Sequence, residues 1–99
     1  PIPESCTIEG AAVRITFSAS APAPAARGGA PLLGFELAGT DGKHGPADAR
    51  VEGRTVVVTS PAVPRPVSVR YAWKDNPEEA NLAGDNGLPA GPFRMTAGC

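Results

Sequence analysis

Few residues in this 99-residue chain could do covalent chemistry. His44 is the single histidine, and a serine hydrolase needs a serine, a histidine base and an orienting acid within hydrogen-bond reach. It sits in Lys43-His44-Gly45-Pro46, a glycine-flanked stretch that reads as a surface turn. No serine lies in a Gly-x-Ser-x-Gly elbow. Asp85-Asn86-Gly87 is similar to part of a calcium loop, but the other ligands are missing at their spacing, so it reads as a plain turn. Glu78 and Glu79 are adjacent, and a solvated turn accounts for them better than acid catalysis. No glycine-rich phosphate loop opens a helix. Cys6 and Cys99 have no C-x-x-C spacing, which argues against zinc. They could form a disulfide tying the two ends in an oxidising compartment, or stand as two unrelated thiols. The expectation is a chain with no catalytic residue, no metal site and no cofactor.

The densest polar and aromatic cluster is Arg70, Tyr71, Trp73, Asp75, Asn76 and Asn81. Tyr71 and Trp73 are two residues apart and share a face if this segment is a strand. Exposed, that face would offer aromatic surfaces with amide and carboxylate groups, a shelf for a sugar or a domain interface. The competing reading is stronger: Val67, Val69, Tyr71 and Trp73 form one apolar stripe and belong in a core. Arg70 points the other way, where it could pair with a carboxylate. Removing a core Trp73 would cost about 3–5 kcal/mol, so loss of activity on mutation would not prove binding there.

Two segments with the same grammar set the elements that must position such groups. Thr7-Ile8-Glu9-Gly10-Ala11-Ala12-Val13 resembles Arg50-Val51-Glu52-Gly53-Arg54-Thr55-Val56. A two-residue loop at Gly10-Ala11 sets Ile8 opposite Val13 and Cys6 opposite Ile15. The same loop at Gly53-Arg54 sets Val51 opposite Val56 and Ala49 opposite Val58. Glycine first in the loop is what a type II′ hairpin turn requires. Val13, Ile15 and Phe17 alternate with Arg14, Thr16 and Ser18, which reads as a half-buried strand. Residues 18–29 are small and proline-rich and read as an extended loop rather than an interdomain linker. Leu33, Phe35 and Leu37 are expected inward on a third strand. Pro61 to Pro66 holds three prolines and cannot be a central strand. Val67 to Trp73 has a period of two. Residues 74–94 lose the pattern and hold repeated turn signals, so a long irregular loop is expected, with a brief helical turn at 77–80.

About six short strands separated by turns predict an all-β, small β-sandwich-like accessory domain spanning 1–99 as one unit. Glycine and proline, 12 of each, lie between the strand patterns, where turns are needed. Much of the apolar content is alanine, so the core is modest and a neighbouring domain would help to stabilise it. A net charge of −1 with no basic run gives no footprint for nucleic acid. No apolar stretch approaches the roughly 20 residues of a membrane span. The basic start, apolar region and cleavage site of a signal peptide are absent from the sequence as given.

The last third of the chain carries a composite pattern: Val67-Ser68-Val69-Arg70-Tyr71-Ala72-Trp73-Lys74-Asp75-Asn76-Pro77, Asn81-Leu82, and Gly87-Leu88-Pro89-Ala90-Gly91-Pro92-Phe93-Arg94. Upstream, Ala26-Arg27-Gly28-Gly29, Gly34-Phe35-Glu36-Leu37-Ala38-Gly39, Asp41-Gly42-Lys43 and Val56-Val57-Val58-Thr59-Ser60-Pro61 follow in order. Together they resemble the C-terminal region of sialate O-acetylesterases, which belong to the SGNH-type carbohydrate esterases. The chain departs from that pattern near His44, where an aromatic is usual, and at Ala83, where a second aromatic is usual. The resemblance implies a non-catalytic domain whose serine and Asp-x-x-His element lie outside this chain, on an SGNH-type catalytic partner domain. It implies a parent reaction, hydrolysis of O-acetyl esters on sialic acid or other acetylated glycans, and a secreted or periplasmic setting. The domain would dock on the catalytic domain and stabilise or shape it. An independent carbohydrate-binding module is the alternative, and a structural spacer the third.

Overall fold

The computed structural model describes residues 2–26, 32–72, 80–84, 86–87 and 89–96. Among these residues there are ten short strands and no helix. A first sheet has the order β1 (Pro3–Glu9), β2 (Ala12–Phe17), β7 (Thr55–Thr59), β6 (Asp48–Glu52). A second has the order β10 (Phe93–Thr96), β8 (Ser68–Tyr71), β4 (Phe35–Ala38), β5 (Gly45–Pro46). A two-stranded pair joins β3 (Pro24–Ala26) to β9 (Leu82–Gly84). Every pairing is antiparallel. The all-β expectation holds, with more and shorter strands than six.

Both hairpins have the expected register, with Ile8 opposite Val13, Cys6 opposite Ile15, Val51 opposite Val56 and Ala49 opposite Val58. Gly10 and Gly53 have φ of +62° and +63°. Ala11 and Arg54, next in each loop, do not have positive φ, which selects type II′ over type I′. The apolar sets of β2 and β7 then face one core with Phe35, Leu37, Val69, Tyr71 and Leu82. Ring contacts tie the sheets together: Phe93 packs edge-on at 6.2 Å from both Phe17 and Phe35 and stacks 5.6 Å from Tyr71. Val57 is also buried although its side chain faces away from this core. Arg14 and Arg50 stand opposite it on the two flanking strands, where their aliphatic stems can cover it.

Three expectations need correction. Residues 18–29 contain β3, and residues 74–94 contain β9 and the start of β10, so neither segment is wholly irregular. Leu33 does not face inward and is 47% exposed. Gly34, with φ of +100°, breaks the alternation, and Leu32 enters the core instead. The strand expected to run to Trp73 ends at Tyr71, because Ala72 takes φ of +53° and leaves the ladder. The helical turn expected at 77–80 falls largely outside the described residues.

Candidate functional site

Polar groups gather on the outer face of the second sheet. Period two puts Glu36 on β4, Arg70 on β8 and Arg94 on β10 in one row, with Ala38, Ser68 and Thr96 in the next. Arg70 Nε donates to Glu36 Oε1 at 2.8 Å. The side chains of this pair are 25% and 11% exposed; Glu36 is far drier than Glu9 and Glu52 on the first sheet, while Arg70 is about as dry as Arg14 there. The loop between β4 and β5 brings His44 over this row, and its Nε2 lies 2.9 Å from Ser68 Oγ.

Burial holds the His44 pKa below its ordinary value, and the Arg70 cation acts in the same direction, as does Arg94 more weakly. The Glu36 carboxylate and a hydrogen bond to the Gly42 backbone oppose them. A neutral imidazole beside a serine hydroxyl is the first half of a nucleophile–base pair. The second half is not built here: the ring is oriented by the backbone of Gly42, and Glu36 is engaged by Arg70. The contact therefore anchors the loop between β4 and β5 to β8, and no triad forms among the described residues.

The six residues singled out in the sequence do not share one surface. Arg70 is on the outer face, paired as described. Tyr71 is 1% exposed and belongs to the core, so its ring is not offered to a sugar. Its hydroxyl accepts from the Leu82 N–H at 2.8 Å and lies 3.5 Å from the Leu82 carbonyl, which satisfies a buried phenol. Asn81 Oδ1 accepts from the Leu33 N–H at 2.7 Å, strapping the start of β9 to the chain before β4. Trp73, Asp75 and Asn76 lie outside the described residues, as does Cys99. Ala83, where an aromatic is usual in the resembling family, is buried between Ala25 and Pro89. No cysteine is free among the described residues, and no three metal-binding side chains gather there. Asn86 and Gly87 stand in a turn closed by Gly87 N–H to the Gly84 carbonyl, 2.9 Å.

The His44–Ser68 contact has no signature in the sequence. Its partners come from a loop and a strand 24 residues apart, and only the outward parity of Ser68 was visible in the sequence.

The fold is thus a small all-β domain with a partly dry polar row and no assembled catalytic centre among the described residues. No known protein-family pattern matches the chain, and no curated protein matches it. Among solved structures it is similar to a novel carbohydrate acetylesterase from Xanthomonas citri, XAC1771, at 39% identity with a TM-score of 0.90. The match covers 96% of this chain and 22% of that one, so this chain spans about a fifth of the esterase's length.

Proposed function

We propose that this chain is a non-catalytic domain of a carbohydrate acetylesterase, of the sialate O-acetylesterase kind. In this reading it docks on an SGNH-type catalytic domain and stabilises or shapes the rim of its cleft. The parent reaction is hydrolysis of O-acetyl esters on sialic acid or other acetylated glycans. The serine, histidine and oxyanion hole come from the catalytic partner. One observation carries the reading: nearly the whole of this chain matches, at 39% identity, a one-fifth share of a carbohydrate acetylesterase. The geometry supports it, since the described residues form a packed sandwich without an orienting acid for His44.

The test is complementation in trans. The catalytic portion of the parent polypeptide is assayed on an acetylated glycan with and without the 99-residue chain, and its melting temperature is followed. A gain in rate or melting temperature on addition, with no turnover by the 99-residue chain alone, is the expected result. A catalytic portion indifferent to this chain in both readouts would reject docking. Sustained ester turnover by the 99-residue chain alone would reject the non-catalytic role.

A further inference from the structure

Beside the polar row, the loop between β4 and β5 faces the loop between β7 and β8 across an open cleft of about 410 Å³. Its walls are Gly39, Thr40, Asp41, Lys43 and Gly45 on one side and Ala62, Val63, Pro64 and Arg65 on the other. Both walls are fixed before any ligand arrives. The first is closed by Gly42 N–H to the Gly39 carbonyl at 3.0 Å, with Gly42 at φ of +74°, and by the His44–Ser68 anchor. The second is closed by Val63 N–H to the Ser60 carbonyl at 3.0 Å, and Val67 N–H ties its end to the Ala38 carbonyl at 2.8 Å. Pro61, Pro64 and Pro66 remove backbone freedom from it. The walls meet at Gly39, where an added β-carbon would lie 3.5 Å from the Arg65 carbonyl oxygen.

The charges around this cleft are unbalanced. Lys43 and Arg65 are both exposed, and neither makes an ion pair among the described residues. Among the described residues Asp41 is the one carboxylate lining the cleft, and its Oδ1 accepts from the Lys43 backbone N–H at 3.1 Å. Two cations therefore face a pocket with a largely apolar floor of glycine, alanine, valine and proline. The volume falls in the range of small-molecule sites. An apolar floor suits the C–H face of a pyranose, and a lysine with an arginine suits its carboxylate.

We infer that this cleft is a subsite for a carboxylate-bearing sugar unit, held between Lys43 and Arg65. The choice of a sugar rests on the proposed membership of a carbohydrate esterase; the choice of an acidic one rests on the two cations. The fixed walls reduce the ordering cost of binding. The domain then contributes to glycan selection as well as docking.

The experiment is a titration of the isotope-labelled 99-residue chain, at low salt, followed by amide NMR shifts. Probes are methyl β-glucuronide and N-acetylneuraminic acid, against methyl β-glucoside and inorganic phosphate. Saturable shifts at Gly39, Gly42, Gly45 and Val63 with the acidic sugars, at least tenfold weaker with glucoside and with phosphate, are the expected result. The Lys43→Gln/Arg65→Gln variant, whose spectrum elsewhere is unchanged because both side chains are exposed, should lose them. Three results would each overturn the inference: no saturable shift, equal response to glucoside or phosphate, or retention in the double variant. Shifts at this cleft on adding the catalytic portion, with none from sugar, would assign it to docking and also overturn the inference. Failure of the docking reading is seen separately, in the complementation assay.

Discussion

The guanidinium of Arg70 and the carboxylate of Glu36 meet at 2.8 Å across the β8–β4 ladder, on a sheet face that excludes most of the solvent from both. A pair this dry is weak ground for net stability but costly to break, because removing one member strands the other's charge. Glu36→Ala should therefore destabilise the domain by about 2–3 kcal/mol, below the cost at a fully buried pair because Arg70 keeps some solvent. The Glu36→Leu/Arg70→Met double variant should recover most of the loss. Urea unfolding of the three proteins measures both effects. A double variant no more stable than Glu36→Ala would show that stranding the Arg70 charge is not what the single change costs.

His44 makes stability depend on pH in a defined direction. Its folded pKa is held below the ordinary 6.5 by burial and the Arg70 cation. As pH falls through 6.5, the unfolded chain takes up a proton on this histidine before the folded one does, and folding weakens. The contribution is complete above 6.5 and is lost as pH falls through the lower folded value. The histidine ring signals should titrate with a midpoint under 6.5. His44→Asn should flatten this part of the stability–pH curve. A midpoint at or above 6.5 would contradict the burial of the ring.

Gly34 separates space from backbone conformation as a reason for glycine. It has φ of +100°, and a β-carbon there would lie 2.7 Å from Ala80 Cβ and 2.9 Å from Ala80 Cα. Gly10 also has positive φ, but nothing lies within 4 Å of its added β-carbon. Gly34→Ala adds overpacking to strain and should cost about 2–4 kcal/mol, against about 1 kcal/mol for Gly10→Ala. Thermal melts of the two variants compare them directly. Equal losses would mean that Ala80 yields without cost.

Ala72 is the reverse case, a residue with a side chain at φ of +53°. Its N–H still donates to the Gly34 carbonyl at 3.0 Å, so the bend is held while the strand ends. Glycine here removes strain of about 1–2 kcal/mol and adds unfolded-state entropy of somewhat less. Ala72→Gly should leave stability unchanged or raise it by up to about 1 kcal/mol in urea unfolding. A clear loss would show that the alanine methyl makes a contact worth more than the strain.

The parts of this fold legible in the sequence are those fixed within a few residues. A glycine at the first loop position sets each hairpin's register, and the alternation in β2 then sends Val13, Ile15 and Phe17 to the core. Parity also sent Arg70 outward and Tyr71 inward. Parity could not name Glu36 as the partner, because β4–β8 pairing is not a hairpin. The β3–β9 pair leaves no mark in the sequence because Pro24-Ala25-Ala26 and Leu82-Ala83-Gly84 have no polar–apolar alternation. Leu33 departs from the alternation because one positive φ, at Gly34, exchanges it with Leu32. The cleft lined by Lys43 and Arg65 is a product of two loops, and loop juxtaposition has no sequence period.

Cys6 is buried in the first sheet, and its Sγ lies 3.7 Å from the carbonyl oxygen of Thr96, at the end of β10 in the second sheet. Cys99 lies three positions after Thr96 in sequence, a reach of at most roughly 10 Å. We propose that Cys6 and Cys99 are bonded, closing nearly the whole chain into one loop and joining the two sheets at their ends. In the chain-entropy account, closing a loop of roughly 90 residues stabilises by about 4–5 kcal/mol. For a domain whose bulky core residues are few, that is comparable with the total stability of a marginal fold. Thiol titration of the denatured, unreduced protein should therefore find no reactive thiol, and two after reduction. Reduction, or the Cys6→Ala/Cys99→Ser variant, should lower the melting temperature by well over 10 °C, at about 4–8 °C per kcal/mol for a domain of this size. Two reactive thiols in protein purified without reductant from an oxidising compartment would defeat the pairing, as would a melting curve indifferent to reduction.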